Sequence, residues 1–485
     1  MRLPVFFITW LLGLLAIGGL RAEPKEALAE LQRQAIAVVE RAQKSVVAIA
    51  RVPKNESANA FQPLNLGNLL DEASPTDADY LPNDFGAGVV IDREGLIVTT
   101  YHLIGNIETS NYYVWSQRKP YRAQVIAADG WFDLAVLKVE KTDLEPVKFG
   151  DAKSVRKGQF VIALGNPQAI ARDGEASVAS GVISNLLRRA PRVPARSSDP
   201  AGRETVHHYG TLIQLDPRLN IGFSGGAVMN LEGEMIGLTT AYAGGPTQVQ
   251  SAGFAIPVDE YFQKALEQLK AGKQAEFGFL GVHPRPFELR LRQRGLHGAL
   301  VEAVEPDTPA ARADIRTGDI ILRVDQQMLY DDDDLIRLIG SLPPDRTVEL
   351  TVFRGDFVAD RGERLQKEVL LAKKRVTTLR PAFATIPPPS WRGMQVDFSS
   401  AAPKQVLVAA RLPAEGGHFL HVTNVADDSA AWAAGVRPNS FVTQVAGKPV
   451  TTPREFFTAV RLLDGEVPLQ MIESNGAAAV KTVSP

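Results

Sequence analysis

Gly222-Phe223-Ser224-Gly225-Gly226 is the sharpest local signal in the 485-residue chain, and the fold turns on what its serine is for. A nucleophilic hydroxyl needs a tight, glycine-permitted turn that aims it outward and presents backbone N–H groups beside it. A glycine turn between two strands with an incidental serine would leave the same five residues. Context has to separate the two. Short strand-like runs flank the pentapeptide: 88–92, 95–99, 133–139, 159–164, 181–184 and 234–239. Their spacing predicts an all-β barrel or sandwich up to about residue 257. Tyr261, Phe262, Ala265, Leu266 and Leu269 then form a closing helix, stopped at Gly272.

A serine hydroxyl is a weak nucleophile until a neutral imidazole takes its proton, and the imidazole needs a carboxylate to fix its tautomer. The β region holds three histidines, His102, His207 and His208. His102 ends the strand-like run from Gly95, where a side chain can be held rigidly. His207 and His208 lie in a polar stretch from Arg188 to Thr211, rich in Arg and Pro, and read as solvated loop residues rather than zinc ligands. Asp133 opens Asp133-Leu134-Ala135-Val136-Leu137-Lys138-Val139, a carboxylate at the mouth of a buried strand.

Composition bounds the chemistry. At roughly 150 residues per domain the chain should hold about three domains. With 45% apolar and 22% charged residues it is ordinary globular protein. Fifty-three basic against fifty-five acidic residues leave a formal charge of -2, so no net field draws it to nucleic acid or anionic lipid. The absence of cysteine excludes disulfides, a thiol nucleophile and thiolate-held metals. No cofactor or metal is expected.

Leu3 to Leu20 carry no charge, Arg2 precedes them and Ala22 offers a small residue before Glu23, which predicts a signal peptide over 1–22, or an anchor if it is not cleaved. Either way the remainder is expected to be exported, to the periplasm or an equivalent compartment. Ala27, Leu28, Leu31, Ala35, Val38, Val39 and Ala42 recur at helical spacing, predicting a helix packed on the domain that follows. From Asn55 to Asp84 the polar, aperiodic sequence predicts a long exposed loop.

The C-terminal part repeats itself. The segment from Val301 aligns without gaps to that from Val422, an offset of 121, with Val304/Val425, Asp307/Asp428, Ala310/Ala431, Ala313/Ala434, Arg316/Arg437 and Val324/Val445 identical. Two copies of one small α+β module are predicted. Arg380-Pro381 and Pro387-Pro388-Pro389-Ser390 between them predict a stiff, extended linker. Thr452-Pro453-Arg454-Glu455 is a capping box ahead of a helix, and the acidic run Asp331 to Asp334 occupies the equivalent place in the first copy. Four carboxylates in a row also fit calcium, but placement at a helix N-terminus explains them without an ion.

Taken in order, Gly95 to His102, Ala128 to Lys138, Gly165-Asn166-Pro167, Ala179 to Ser184, Ile213 to Gly226 and Gly253 to Pro257 resemble the HtrA/Deg-type trypsin-like serine proteases with two C-terminal PDZ domains. The resemblance implies a double β-barrel protease domain over 23–272, a PDZ domain over 277–375, a Pro-rich linker over 376–390 and a second PDZ domain over 391–485. It implies His102 as general base, Asp133 as its orienting carboxylate and Ser224 as nucleophile, with the backbone N–H groups of Gly222 and Ser224 as the oxyanion hole. Phe279-Leu280-Gly281-Val282 resembles the loop that receives a peptide C-terminus. The corresponding place in the second copy is Arg392-Gly393-Met394-Gln395, a weaker match. Two residues depart from the family: Phe223 stands where Asn is usual and Tyr101 where a small polar residue is common. The function implied is an exported endopeptidase degrading misfolded or damaged protein, assembled as a trimer or larger oligomer. The competing expectation is a weakly active or inactive peptide-binding scaffold or holdase.

Overall fold

The computed structural model describes residues 24–54, 82, 84–141, 143–166, 175–190, 205–220, 222–240, 253–376 and 382–485. The expected signal segment 1–22, most of the expected loop 55–84 and Pro167 lie outside them.

Helix α1 (Pro24–Ala42) leads into the first barrel, built from β1 (Val46–Pro53), β2 (Asp84–Val90), β3 (Leu96–Thr100), β4 (Ser110–Ser116), β5 (Lys119–Asp129) and β6 (Leu134–Val139). The sheet runs β5-β4-β1-β2-β3-β6 and returns on itself through β5–β6 pairing. The second barrel closes in the order β10-β11-β12-β9-β8-β7 from β7 (Phe160–Gly165), β8 (Ser177–Arg188), β9 (Leu212–Leu215), β10 (Ala227–Met229), β11 (Met235–Thr240) and β12 (Gly253–Pro257). Strand alternation sorts the apolar residues between two cores. Val161 and Ala163 of β7 fill the second barrel with Ile183, Leu215 and Ile236, while Ile162 and Leu164 face a shared core with Val89, Val98 and Leu134 of the first. That shared core also takes Val38 and Ala42, so only the end of α1 packs on the domain, and Leu28 and Ile36 stay exposed. His102 is not on a strand: β3 ends at Thr100, and the histidine sits on the single helical turn α2 (Tyr101–Ile104).

Helix α3 (Glu260–Lys270), capped by Asp259, closes the protease region. The first α+β module then holds β13 (Gly278–Phe279), β14 (Val282–Arg285), α4 (Leu289–Gln293), β15 (Ala299–Val304), α5 (Pro309–Arg312), β16 (Ile320–Val324), β17 (Gln327–Met328), α6 (Asp332–Ile339), β18 (Thr347–Asp356), β19 (Arg361–Leu370) and β20 (Ala372–Lys373). It docks on the first barrel through Trp131, which is buried and donates its indole N–H to the Gly340 carbonyl at 2.8 Å. Lys374 stacks 4.2 Å over the same ring.

The expected linker is more than a spacer. Its residues Phe383–Ala384 form β21, which pairs with β5 through Phe383↔Ala128 and Ala384↔Ala127 and so covers an edge of the first barrel. The second module follows with β22 (Ser390–Trp391), β23 (Met394–Phe398), α7 (Lys404–Ala409), β24 (Leu420–Val425), α8 (Ala430–Ala433), β25 (Phe441–Val445), β26 (Lys448–Pro449), α9 (Pro453–Arg461), β27 (Val467–Ile472) and β28 (Ala478–Val483). Thr452 and Glu455 form the expected capping box of α9, and Asp331 caps α6. Between the modules Lys373 is buried with both Glu276 and Asp397 at 2.7 Å, which compensates the cost of enclosing its charge.

Candidate active site

The first barrel supplies a histidine and a carboxylate, and the second supplies a serine. The His102 ring nitrogen Nδ1 lies 2.7 Å from Asp133 Oδ2, and Nε2 lies 3.1 Å from Ser224 Oγ. The other carboxylate oxygen of Asp133 accepts the backbone N–H of His102 at 2.9 Å, and the Asp133 carbonyl accepts that of Tyr101 at 3.0 Å. The acid is thus bonded to both the backbone and the ring of the residue it would orient. Asp133 has φ 55, a left-handed conformation that Asp tolerates better than most side chains. Burial alone would raise its carboxyl, but the attraction of His102, the hydrogen bond to it and the field of His207 outweigh that and hold it below its ordinary value.

Backbone bonds fix the serine turn. The Gly222 carbonyl accepts Asn166 N–H at 3.1 Å, Phe223 N–H donates to Asn220 at 3.1 Å, and Gly226 N–H donates to Phe223 at 2.9 Å. Across the barrels, Ala87 N–H donates to the Ser224 carbonyl at 2.8 Å. Gly222 has φ 98, and a Cβ there would lie 2.1 Å from the Asn166 carbonyl oxygen, so only glycine fits. Phe223 turns inward. Its ring is buried with Val161, Ala163, Leu219 and Val228, directly over Gly165, where a Cβ would come within 2.6 Å of it. The departure from the family at this position therefore plants an apolar anchor between Gly222 and Ser224.

Sequence reasoning missed two residues beside the site. His207, expected in solvent, is buried on the 3-10 turn Val206–Tyr209. Its Nε2 lies 2.9 Å from the Phe132 carbonyl oxygen and its Nδ1 lies 2.6 Å from Thr211 Oγ1. Burial pushes its value down to about 4, so at neutral pH it is the uncharged imidazole that donates from Nε2 to the carbonyl. Asp129 also escaped notice: its Oδ1 accepts Phe132 N–H at 2.8 Å, and burial pushes its carboxyl up to about 7. The flanking arginine segment lies only partly within the described residues, yet Arg189 forms a close ion pair with Asp333 on α6 of the first module. At Phe279–Val282, Leu280 and Gly281 are buried, and Gly281 has φ 89 with its Cβ position 2.2 Å from Thr308.

Residues 86–238 match the trypsin-like peptidase domain family, and residues 278–360 match the PDZ domain family. A probable periplasmic serine endoprotease DegP-like of Halomonas elongata is 29% identical over 401 residues, 80% of this chain and 76% of its own length. A Marinomonas protein of the same name is 30% identical over 308 residues, 62% and 61% of the two chains. Among solved structures, the HtrA-type protease AlgW with tripeptide shares the fold at TM-score 0.52 and 24% identity, over 73% of this chain and 98% of that one. Barrels, first module and matches together define a trypsin-like serine peptidase carrying a PDZ domain. More particularly, the chain is similar to relatives named DegP-like serine endoproteases, and its fold is that of HtrA-type proteases.

Proposed function

We propose that this chain is an exported serine endopeptidase that hydrolyses unfolded or misfolded polypeptide through an acyl-enzyme. The observation that carries the reading is the unbroken line from Asp133 through His102 to Ser224, at 2.7 and 3.1 Å. His102 Nε2 takes the Ser224 proton as Oγ attacks the scissile carbonyl, and the imidazolium is stabilised by Asp133. The oxyanion is received by the backbone N–H groups of Gly222 and Ser224. His102 then gives its proton to the leaving amine, and water deacylates the serine by the same route in reverse.

Substrate or regulatory peptides would enter at Phe279–Val282, adding as a strand to β14 beside α6 with their carboxyl terminus on the loop. Arg189 on Asp333 gives that module a charged contact with the arginine segment beside the active site. The periplasmic names of the relatives favour an exported location, and the family favours a trimer or larger assembly. The test is a fluorophosphonate label with casein hydrolysis on wild type and Ser224→Ala. The variant should fold normally and lose both label and hydrolysis, a rate loss on the order of a millionfold. Undiminished hydrolysis in purified Ser224→Ala would remove the assignment.

A further inference from the structure

The two PDZ modules share one anchoring scheme but differ at the strand edge where a peptide would add. In the first, Leu280 and Gly281 offer their carbonyls to Ala310 and Glu305, both at 2.9 Å. In the second, Arg392 and Gly393 offer theirs to Ala431 at 3.1 Å and Ala426 at 2.8 Å, partners 121 residues further on in each case. Gly281 and Gly393 have φ 89 and 87, and a Cβ on either would strike Thr308 or Ser429. The loops therefore correspond residue for residue.

What precedes each loop does not correspond. In the first module Phe279 turns away from β14 and pairs with Ala372 on β20, so among the described residues β14 is left as the edge of its sheet. In the second module the chain folds straight back: Trp391 pairs with Met394 and Ser390 with Gln395, placing β22 along the outer edge of β23. Arg392 and Gly393 both have positive φ, as a two-residue hairpin turn requires. Arg392 is held in that unfavourable conformation by stacking 4.6 Å over the Trp391 ring and donating to the Val483 carbonyl at 2.5 Å. The Trp391 ring meets Phe456 of α9 edge-on at 5.8 Å, and the Gln395 side chain donates to the Pro388 carbonyl at 3.1 Å.

We propose that the groove between β23 and α9 is a binding site whose ligand is the chain's own Pro388–Trp391 segment, so that peptide carboxyl termini enter the first module alone. The segment runs antiparallel to β23 and ends at the Arg392-Gly393 loop, the direction and end point of an added peptide strand. Its last residue continues into the loop and brings no carboxylate. This assignment rests on the peptide-receiving role proposed above for these modules.

Two measurements on the full chain test it. The protein has no cysteine, so Ser390→Cys with Gln395→Cys gives a clean pair, and residues directly opposite in a hairpin lie within disulfide range. The pair should close completely under mild oxidation; thiols that stay free in the folded chain would overturn the proposal. Second, a fluorescein decapeptide ending in a phenylalanine carboxylate and carrying a benzophenone is titrated and cross-linked. One probe should bind per wild-type chain, with cross-links on β14 and α6 only, and two per chain in Trp391→Ser, the second cross-linking to β23 or α9. Cross-links on β23 or α9 in the wild type, or one probe per chain in a folded Trp391→Ser, would overturn it. If the wild type takes no probe anywhere, the peptide-receiving role falls, while the cysteine pair still decides what fills the groove.

Discussion

The His207 imidazole stands 2.9 Å from the carbonyl oxygen of Phe132, the residue before Asp133, and so grips the backbone from which the orienting carboxylate projects. Replacing His207 by Leu leaves that buried carbonyl without its donor, a loss of about 1–3 kcal/mol. In His207→Leu we expect kcat to fall roughly tenfold or more, with KM unchanged. His207→Gln, whose amide can still donate, should recover most of the rate. A purely structural role would lower the melting temperature equally in both variants and leave the active fraction at wild-type kcat, and that pattern would refute the positioning role.

Two buried groups beside the site bend stability with pH in opposite directions. His207 falls to about 4 on folding, chiefly through burial, with Asp133 and His208 as its charged neighbours. Between about 4 and its ordinary 6.5 the unfolded chain binds a proton that the fold excludes, so stability is lost as pH falls. Asp129 rises from 3.8 to about 7, so over that range the fold holds a proton the unfolded chain has released, and stability is lost as pH rises. The two trends oppose each other in the wild type. Urea unfolding of Asp129→Asn from pH 4.5 to 6 should show stability rising by about 1.4 kcal/mol per pH unit relative to wild type, and His207→Gln should show the reverse.

Phe223 anchors the serine turn in the second barrel, so its loss should cost both fold and rate. Phe223→Ala is expected to destabilise by about 3–5 kcal/mol, the usual range for an emptied aromatic site. Labelling of Ser224 by a small fluorophosphonate should slow with it, because the reagent needs the turn but no peptide subsite. Gly165→Ala, which pushes the same ring from below, should slow labelling too. Normal labelling in both would mean that the turn holds without its apolar seat.

Specificity should be apolar. The segments expected to line the pocket beneath the nucleophile, Arg218 to Phe223, Thr239 to Tyr242 and Ser251 to Phe254, contain no Asp or Glu. A buried Lys or Arg side chain would find no counter-charge there. Leu219 lies against Gly253, and Phe254 pairs with Thr240, so these described parts of the lining bring no carboxylate. Cleavage sites mapped on casein should follow aliphatic residues, and a majority after Lys or Arg would contradict the expectation.

Residues that act through local pattern were legible in the sequence. Ser224 announces itself because a serine turn needs glycines on both sides, and the repeat announces itself because two modules reuse the same caps and core positions. His207 was hidden because it packs against Phe132 on a turn bonded to Trp131, both remote in sequence, while the stretch around it is largely polar. His102 was placed on a strand because the single helical turn that carries it is too short for any periodicity to register. β21 and the first residue of β22 were read as linker for a similar reason: two-residue strands beside prolines have no alternation to detect, and pairing alone defines them.

The stretch from Ile386 to Ser390 at the end of the linker is pinned at both ends. Ile386 N–H donates to the Gly272 carbonyl at 2.8 Å on the barrel side, and Ser390 is already paired on the module side, which leaves only Pro387, Pro388 and Pro389 between the clamps. Three prolines make a strut of roughly 9 Å with almost no slack. Force on the second module would therefore not be absorbed by a flexible tether; it would pull on β21, and through β21 on the end of β5, whose last residue is Asp129. The strand edge that anchors the module is thus also the lever arm nearest the carboxylate beside His102.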